Sequence, residues 1–89
     1  MISKATQDFW KEYNALSNSL KKLSKKAYQL FKDNPSHPSL QFKKVNSDPD
    51  VYSVRITVHY RALCVKQDDT FIWFWIGNHD AYQRMINSL

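Results

Sequence analysis

The chain has 89 residues, including five Phe, five Tyr and three Trp, and carries a formal net charge of +5. One domain spanning residues 1–89 is expected at this length, with a core that depends on large side chains. A single glycine excludes a glycine-rich phosphate loop, one cysteine excludes an internal disulfide, and no stretch approaches the roughly 20 apolar residues that span a bilayer. We therefore expect a soluble, cytoplasmic protein whose partner is nucleic acid or an acidic protein.

Apolar residues recur at helical spacing in the first third of the chain. Phe9, Tyr13, Leu16 and Leu20 follow i, i+4, i+7, i+11, and a second stripe runs from Leu20 to Phe31. Ser-Asn-Ser at 17–19 suits a helix cap, and the prolines of NPSHP at 34–38 end the second helix. We predict a helical hairpin. Its lysines form either a solvated face or a docking surface: Lys21, Lys22, Lys25, Lys26 and Lys32.

After the prolines the apolar period changes to 2, which is typical of strands. The pattern predicts strands in three stretches, LQFKKV, VYSVRITV and YRALCV. It predicts turns at 46–50 (NSDPD) and 66–70 (KQDDT). Within YRALCV, Cys64 is expected to be buried as a small hydrophobic residue. FIWFWI at 71–76 is apolar on both faces, which indicates a central strand that is covered on both sides.

The last ten residues predict a short helix after this strand. Its apolar positions are spaced i, i+3, i+4 and i+7, Asn78 or Asp80 would cap it, and Gly77 gives the backbone freedom to turn. The order of elements predicts an α+β fold. In this fold a helical hairpin packs on a four-stranded, mainly antiparallel sheet, the helices lie on one face, and a short C-terminal helix closes the chain.

Cations and aromatic residues remain at the predicted strand ends. Ser53, Arg55 and Thr57 alternate with apolar residues, Arg61 begins the next strand, and His79 and Tyr82 follow FIWFWI. If these strands are adjacent, two guanidinium groups, an imidazole and a phenol converge. This set suits RNA cleavage without a metal, in which the ribose 2′-OH attacks its own 3′-phosphate and cations stabilise the charge that develops. The alternative is that both arginines are surface cations and His79 only begins a helix.

Metal and cofactor sites are not expected, because one Cys and three scattered His residues have no metal-ligand spacing.

The stretch YSVRITVHYRALCV, followed by FIWFWIGNHDAYQR, resembles the RelE/ParE toxin superfamily of bacterial toxin–antitoxin modules. The superfamily pattern is a Y-x-x-R/K-I/L … Y-R strand pair ahead of an apolar strand that ends in a basic or His/Tyr segment. The helical hairpin and HPSLQFKKV also look like members of this superfamily. The resemblance therefore covers nearly the whole chain.

The resemblance implies a RelE-type toxin that binds the ribosome and cuts mRNA. It assigns catalysis to Arg55, Arg61, His79 and Tyr82, with Tyr82 stacking on a base. RNA binding would involve Lys43, Lys44, Ser53 and Arg84. The implied partners are the ribosome, mRNA and a cognate antitoxin, which the lysine-rich hairpin predicts to be acidic.

Two departures from the family pattern accompany the resemblance. Ser53 stands where some active relatives carry a second cation, which leaves the general base open, with Lys43 and Lys44 as candidates. The usual N-terminal strand is reduced to, at most, MISKA. Two alternatives stay open: a non-catalytic, ParE-like inhibitor of DNA gyrase, and a catalytically lapsed relic that only binds its antitoxin.

Overall fold

The computed structural model describes residues 2–89 and contains five strands and three α-helices. In chain order they are β1 (Ile2–Ala5), α1 (Gln7–Asn14), α2 (Asn18–Asp33), β2 (Lys43–Ser47), β3 (Asp50–Thr57), β4 (Tyr60–Gln67), β5 (Thr70–Asn78) and α3 (His79–Asn87), with a 3₁₀ turn at Pro38–Leu40. No helix within residues 2–89 is long and apolar enough to cross a membrane.

The strands form one sheet in the order β1-β5-β4-β3-β2. Strands β2 to β5 are a meander of antiparallel hairpins, as the sequence predicts, whereas β1 pairs with β5 in parallel. The predicted count of four strands is therefore wrong by one. Strand β1 has only four residues, too few to show a clear apolar period. Its partner Thr70–Trp73 is distant in sequence, so no turn sequence between the two strands indicates that they pair. Met1, the first residue of MISKA, lies outside the described residues.

Helices cover both faces of the sheet, not one face as predicted. On one face α1 and α2 pack over a cluster that includes Phe31, Val54 and Trp73. On the other face α3 packs through Tyr82 over Leu63 and Trp75. FIWFWI is an inner strand covered on both sides, as predicted, although β4 and not β5 is the middle strand.

The helix ends follow the capping rules. Ser17 Oγ accepts a hydrogen bond from the Leu20 N–H (3.2 Å), and Asn78 Oδ1 accepts one from the Ala81 N–H (2.9 Å). Ser17 lies in the stretch 17–19 that was predicted to cap or separate the helices, and of the two candidates for α3 the cap is Asn78, with Asp80 inside the helix. Thr6 Oγ1 caps α1 in the same way by accepting from the Phe9 N–H (3.1 Å).

Cys64 is fully buried in β4, as predicted, and burial raises the pKa of its thiol to about 12. The thiol therefore stays protonated and acts as a packing group.

The chain's one glutamate supports the edge of β5 beyond the end of β1. Glu12 Oε1 accepts a hydrogen bond from the Ile76 N–H at 3.3 Å, which supplies an acceptor that β1 no longer provides. Burial raises the pKa of Glu12 above its ordinary value, the bond from Ile76 opposes this shift, and the neighbouring Asp8 adds to it. Desolvation is the largest of these effects.

Candidate functional site

A row of three residues crosses three adjacent strands near one end of the sheet, on the face that carries α3. Arg61 in β4 lies opposite Arg55 in β3 and opposite Gly77 in β5. Residues directly opposite one another in an antiparallel sheet point to the same face. The register therefore places the two predicted catalytic arginines side by side.

Arg61 is held by two contacts. Its Cζ atom lies 5.2 Å from the centre of the Tyr82 ring, and its Nη2 donates a hydrogen bond of 2.7 Å to Gln41 Oε1. Its Nη1 is buried and has no hydrogen-bond partner within residues 2–89. The ring and the amide fix the orientation of this guanidinium, a group whose planar donors suit oxyanions, whereas its Nη1 is enclosed by the protein.

His79 is the first residue of α3, directly after the Asn78 cap. Its ring centre lies 5.7 Å from that of Tyr82, and its N–H donates to the His59 carbonyl at 2.7 Å. The Tyr82 ring thus contacts both Arg61 and His79. These contacts bring three of the four predicted catalytic residues together, and the sheet register adds the fourth, Arg55.

Gly77 is needed for space and not for an unusual backbone angle. Its φ is not positive, contrary to the predicted role in a turn. A Cβ at this position would lie 2.7 Å from Cζ2 and 2.9 Å from Cη2 of Trp75. The Trp75 ring therefore lies directly over Gly77, beside the arginine pair, and excludes any side chain there.

The charge on the arginine pair is not compensated by a carboxylate. Within residues 2–89 neither Arg55 nor Arg61 forms an ion pair, and the pair that is described joins Lys44 Nζ to Asp50 Oδ1 at 3.2 Å. Like charges directly opposite one another destabilise a sheet. A bound anion would relieve this repulsion.

The predicted RNA-binding residues are dispersed. Lys43 is exposed and lies opposite Ser53 in the row next to the arginines, so it shares their face. Lys44 lies opposite Tyr52 on the hairpin face, where hydrogen bonding to Asp50 raises its pKa. Arg84 is exposed on α3, two residues beyond the buried Tyr82.

Burial changes the predicted roles of two residues. Ser53 is fully buried with an unpartnered hydroxyl, so it offers no surface to RNA. Tyr82 is 2% exposed and its ring already contacts Arg61, so it has no free face on which a base could stack. The tyrosine orients the arginine instead. Helix α3 packs on the sheet face to which Ser53 points, and period-2 alternation shows that this face is shared but not what covers it.

Gln41 is the contact residue that sequence reasoning missed. It follows the 3₁₀ turn with a φ of 44°, in the left-handed region, and from there its amide reaches Arg61 across twenty positions of sequence. Glutamine carries no sequence signal for this conformation, which favours Gly, Asn and Asp. Only the folded chain reveals the contact.

Within residues 2–89, no group of three or more His, Cys, Asp or Glu side chains is arranged to hold a metal ion.

The fold and the basic cluster define a small α+β domain that resembles known toxins. The family model described as the ParE-like toxin domain matches residues 19–84, well over half of the chain. The chain therefore belongs to this family, within the RelE/ParE toxin superfamily, which confirms the resemblance seen in the sequence. No curated protein matches the chain by sequence.

Solved structures share the fold at low identity. YafQ from E. coli strain BL21(DE3) superposes with a TM-score of 0.73 at 12% identity, covering 90% of this chain and 94% of YafQ. The RelB–RelE antitoxin–toxin complex from Methanococcus jannaschii contains a chain that superposes with a TM-score of 0.72 at 17% identity. The match covers 92% of this chain and 96% of that chain. The YoeB/ParE toxin from Agrobacterium tumefaciens superposes with a TM-score of 0.67 at 15% identity, covering 89% of this chain and 99% of that toxin. These similarities confirm the predicted α+β class.

Proposed function

We propose that this protein is the toxin of a toxin–antitoxin pair and represses translation in the cytoplasm by cutting mRNA on the ribosome. The observation that carries the proposal is the Arg55–Arg61 pair, whose charge no carboxylate compensates within residues 2–89. A phosphodiester placed against this pair would supply the missing negative charge. The guanidinium groups would then stabilise the additional charge that develops on the phosphorus oxygens during cleavage.

The proposed step needs no metal and balances its protons. A base removes the 2′-OH proton, the 2′-oxygen bonds to phosphorus, and the bond from phosphorus to the 5′-oxygen breaks. An acid then protonates the departing 5′-oxygen, leaving a 2′,3′-cyclic phosphate and a 5′-OH. His79, which lies beside Tyr82 and Arg61, is the proposed acid. Lys43 is the base candidate on the arginine face, since Lys44 lies on the other face and is paired with Asp50.

A protein partner would keep this activity in check. The complex from M. jannaschii joins a RelE toxin to its RelB antitoxin, and a second archaeal RelE–RelB complex comes from Pyrococcus horikoshii OT3. By analogy we expect an antitoxin for this chain, and its charge of +5 favours an acidic one.

The second candidate is a non-catalytic toxin: a ParE-like gyrase inhibitor, or a relic that binds only its antitoxin. Two observations favour it, namely the ParE-like family model and the burial of Tyr82. Primer extension on mRNA from expressing cells separates the classes. Cuts within translated messages support the nuclease. Intact messages, with supercoiling by gyrase blocked in a purified assay, support the inhibitor.

A further inference from the structure

A hollow lies beside the outer edge of β3, where that strand runs past β2. Strand β2 begins at Lys43, opposite Ser53, so the residues of β3 after Ser53 have no partner from β2. Three consecutive residues line this edge hollow, Arg55, Ile56 and Thr57. A regular strand would send them to alternating faces, but β3 carries an extra residue between Arg55 and Thr57. Such a bulge redirects side chains, which explains how one hollow is lined by all three.

Helix α2 and the 3₁₀ turn form the other wall of the edge hollow. The residues that line it there are Leu23, Lys26, Ala27, Leu30, Ser39 and Leu40. Leu23 is 42% exposed, and Lys26 and Ser39 are exposed as well, so the hollow is open to solvent. It encloses about 300 Å³, at the small end of the range that is typical of small-molecule sites. This volume suits a single nucleoside.

The lining combines an aliphatic wall with positive charge. The wall is formed by Leu23, Leu30 and Ile56. The charged side chains are those of Lys26 and Arg55, and within residues 2–89 no carboxylate lines the hollow. An occupant with an apolar surface and a negative charge would therefore complement it. A nucleotide has both, since its base is a flat, weakly solvated ring and its phosphate is an anion.

Arg55 belongs both to the edge hollow and to the arginine pair. The segment of the 3₁₀ turn connects the same two places, because Ser39 lines the hollow and Gln41 contacts Arg61. A phosphate bound at the arginine pair would therefore have one of its two attached nucleosides beside the hollow. His79 lies on the other side of the pair, since it follows β5 and the order of strands is β5-β4-β3.

We propose that the edge hollow binds the nucleotide on the 5′ side of the cleaved bond, which is the one whose 2′-OH attacks. The inference rests on the proposed function, because it takes His79 as the acid that protonates the departing 5′-oxygen. The attacking and leaving oxygens lie on opposite sides of phosphorus. The downstream nucleotide therefore lies on the β5 side with His79, and the upstream nucleotide lies on the β3 side with the hollow.

Two features of the site agree with this placement. Lys43, the base candidate for the attacking 2′-OH, also lies on the β3 side, opposite Ser53. Tyr82 is buried and has no free face for a base, so a base next to the cleaved bond needs another surface. The aliphatic wall of the hollow supplies one, with Lys26 and Arg55 placed to meet the phosphates on either side of the nucleoside.

The test is a titration of the full ¹⁵N-labelled chain followed by two-dimensional ¹H–¹⁵N NMR. The probes are the four nucleoside 3′-monophosphates, which carry phosphate on the same oxygen as the upstream nucleotide. Nucleoside 5′-monophosphates, inorganic phosphate and a Glu-rich peptide are the controls. Lys26→Glu reverses a charge at the hollow. Lys25→Glu is the matched variant, because Lys25 is the neighbouring exposed lysine on α2 and does not line the hollow. Circular dichroism confirms that both variants are folded.

We expect the 3′-monophosphates to shift the amide signals of Leu23, Lys26 and Thr57 together with those of the arginine pair. Inorganic phosphate should shift only the signals of the arginine pair. The 5′-monophosphates should bind about fivefold more weakly than the 3′-monophosphates, because their phosphate is on the wrong side of the ribose. Lys26→Glu should weaken binding of the 3′-monophosphates about fivefold or more, and Lys25→Glu less than about twofold.

Four results would overturn the proposal. The 3′-monophosphates could shift the same signals as inorganic phosphate, or bind no better than the 5′-monophosphates. The two lysine variants could weaken binding equally, which would point to net charge. The Glu-rich peptide could shift the signals of the hollow while the nucleotides do not, which would make the hollow a protein contact.

Loss of this site and loss of the nuclease give different results, because the titration uses neither ribosomes nor cleavage. Cleavage of translated mRNA without shifts on α2 would overturn the nucleotide site and keep the nuclease. Nucleotide binding in the hollow by a chain that never cuts translated mRNA would keep the site and contradict the nuclease.

Discussion

The guanidinium group of Arg61 lies over the Tyr82 ring, with Cζ 5.2 Å from the ring centre. The ring belongs to α3, whereas the guanidinium belongs to the middle strand, so this contact links the C-terminal helix to the centre of the sheet. Packing against the ring restricts the rotation of a long side chain. Nη2 donates to Gln41, and Nη1 is buried without a partner within residues 2–89.

The buried hydroxyl of Tyr82 should not contribute to stability. It has no hydrogen-bond partner within residues 2–89, so Tyr82→Phe removes an unsatisfied group and keeps the ring under Arg61. We expect the free energy of unfolding to stay the same or to rise by about 1 kcal/mol in urea denaturation. Tyr13→Phe is the matched control, because the Tyr13 hydroxyl donates to the Lys21 carbonyl at 3.4 Å. A larger loss for Tyr82→Phe than for Tyr13→Phe would show that the hydroxyl has a partner.

Gln41→Glu tests whether the charge of Arg61 must be free. The substitution keeps the shape and the acceptor but adds a carboxylate at the 2.7 Å contact. We expect unchanged or greater stability, because a charge-assisted hydrogen bond replaces a neutral one. Cleavage of mRNA should fall about tenfold or more, since the neutralised guanidinium binds phosphate less well.

Gln67→Glu is the control for Gln41→Glu, because it makes the same change of charge at the exposed end of β4. Equal effects of the two substitutions on cleavage would point to net charge alone and would contradict a specific role for Arg61.

Gly77→Ala should destabilise the fold by about 1–3 kcal/mol, because the added Cβ overlaps the buried Trp75 ring. The overlapping atoms, Cζ2 and Cη2, belong to the part of the indole that Phe lacks. In a Trp75→Phe background the same change should therefore cost much less, and urea denaturation of all four proteins gives the coupling energy. Additive losses would mean that crowding by Trp75 does not explain the glycine.

Glu12 predicts a pH dependence of known sign. Burial raises its pKa, so the folded chain holds this proton more tightly than the unfolded chain does. The resulting stabilisation is complete below the ordinary value of 4.5 and is lost as pH rises through the higher pKa of the folded state. Glu12→Gln keeps an acceptor for the Ile76 N–H and does not titrate. Its stability relative to the parent should therefore increase from pH 4 to pH 7, as measured by urea denaturation at each pH; a decrease would mean that the pKa is lowered.

Most of the fold could be predicted because its signals are local. The helical hairpin, the meander from β2 to β5 and the Asn78 cap each depend on neighbours within a few residues, and each is present. Strand β1 was not predicted as a paired strand, because its partner Thr70 lies at the far end of the chain and no turn connects them. The apolar spacing of α3 also does not indicate that this helix packs on the face opposite the hairpin.

The candidate site could be predicted only as a set of residue types. Arg55, Arg61 and His79 were found from their places at strand ends, and the sheet register brings the two arginines together. The supporting contacts depend on long-range packing: Gln41 reaches Arg61 from a left-handed backbone position, and Tyr82 is buried by the docking of α3. Sequence alternation marks which residues share a face, but it does not tell what covers that face.

The most direct test is cleavage of a defined mRNA in a reconstituted translation reaction, mapped by primer extension, with the parent protein and with Arg61→Ala. We expect ribosome-dependent cuts with the parent. The rate should fall about 10²–10³-fold in Arg61→Ala, since a preorganised donor to the transition state is lost. Arg84→Ala, which removes an exposed arginine from α3, should lower the rate less than tenfold. Cleavage by a folded Arg61→Ala at the parental rate, or no cleavage by the parent on translating ribosomes, would contradict the proposed nuclease.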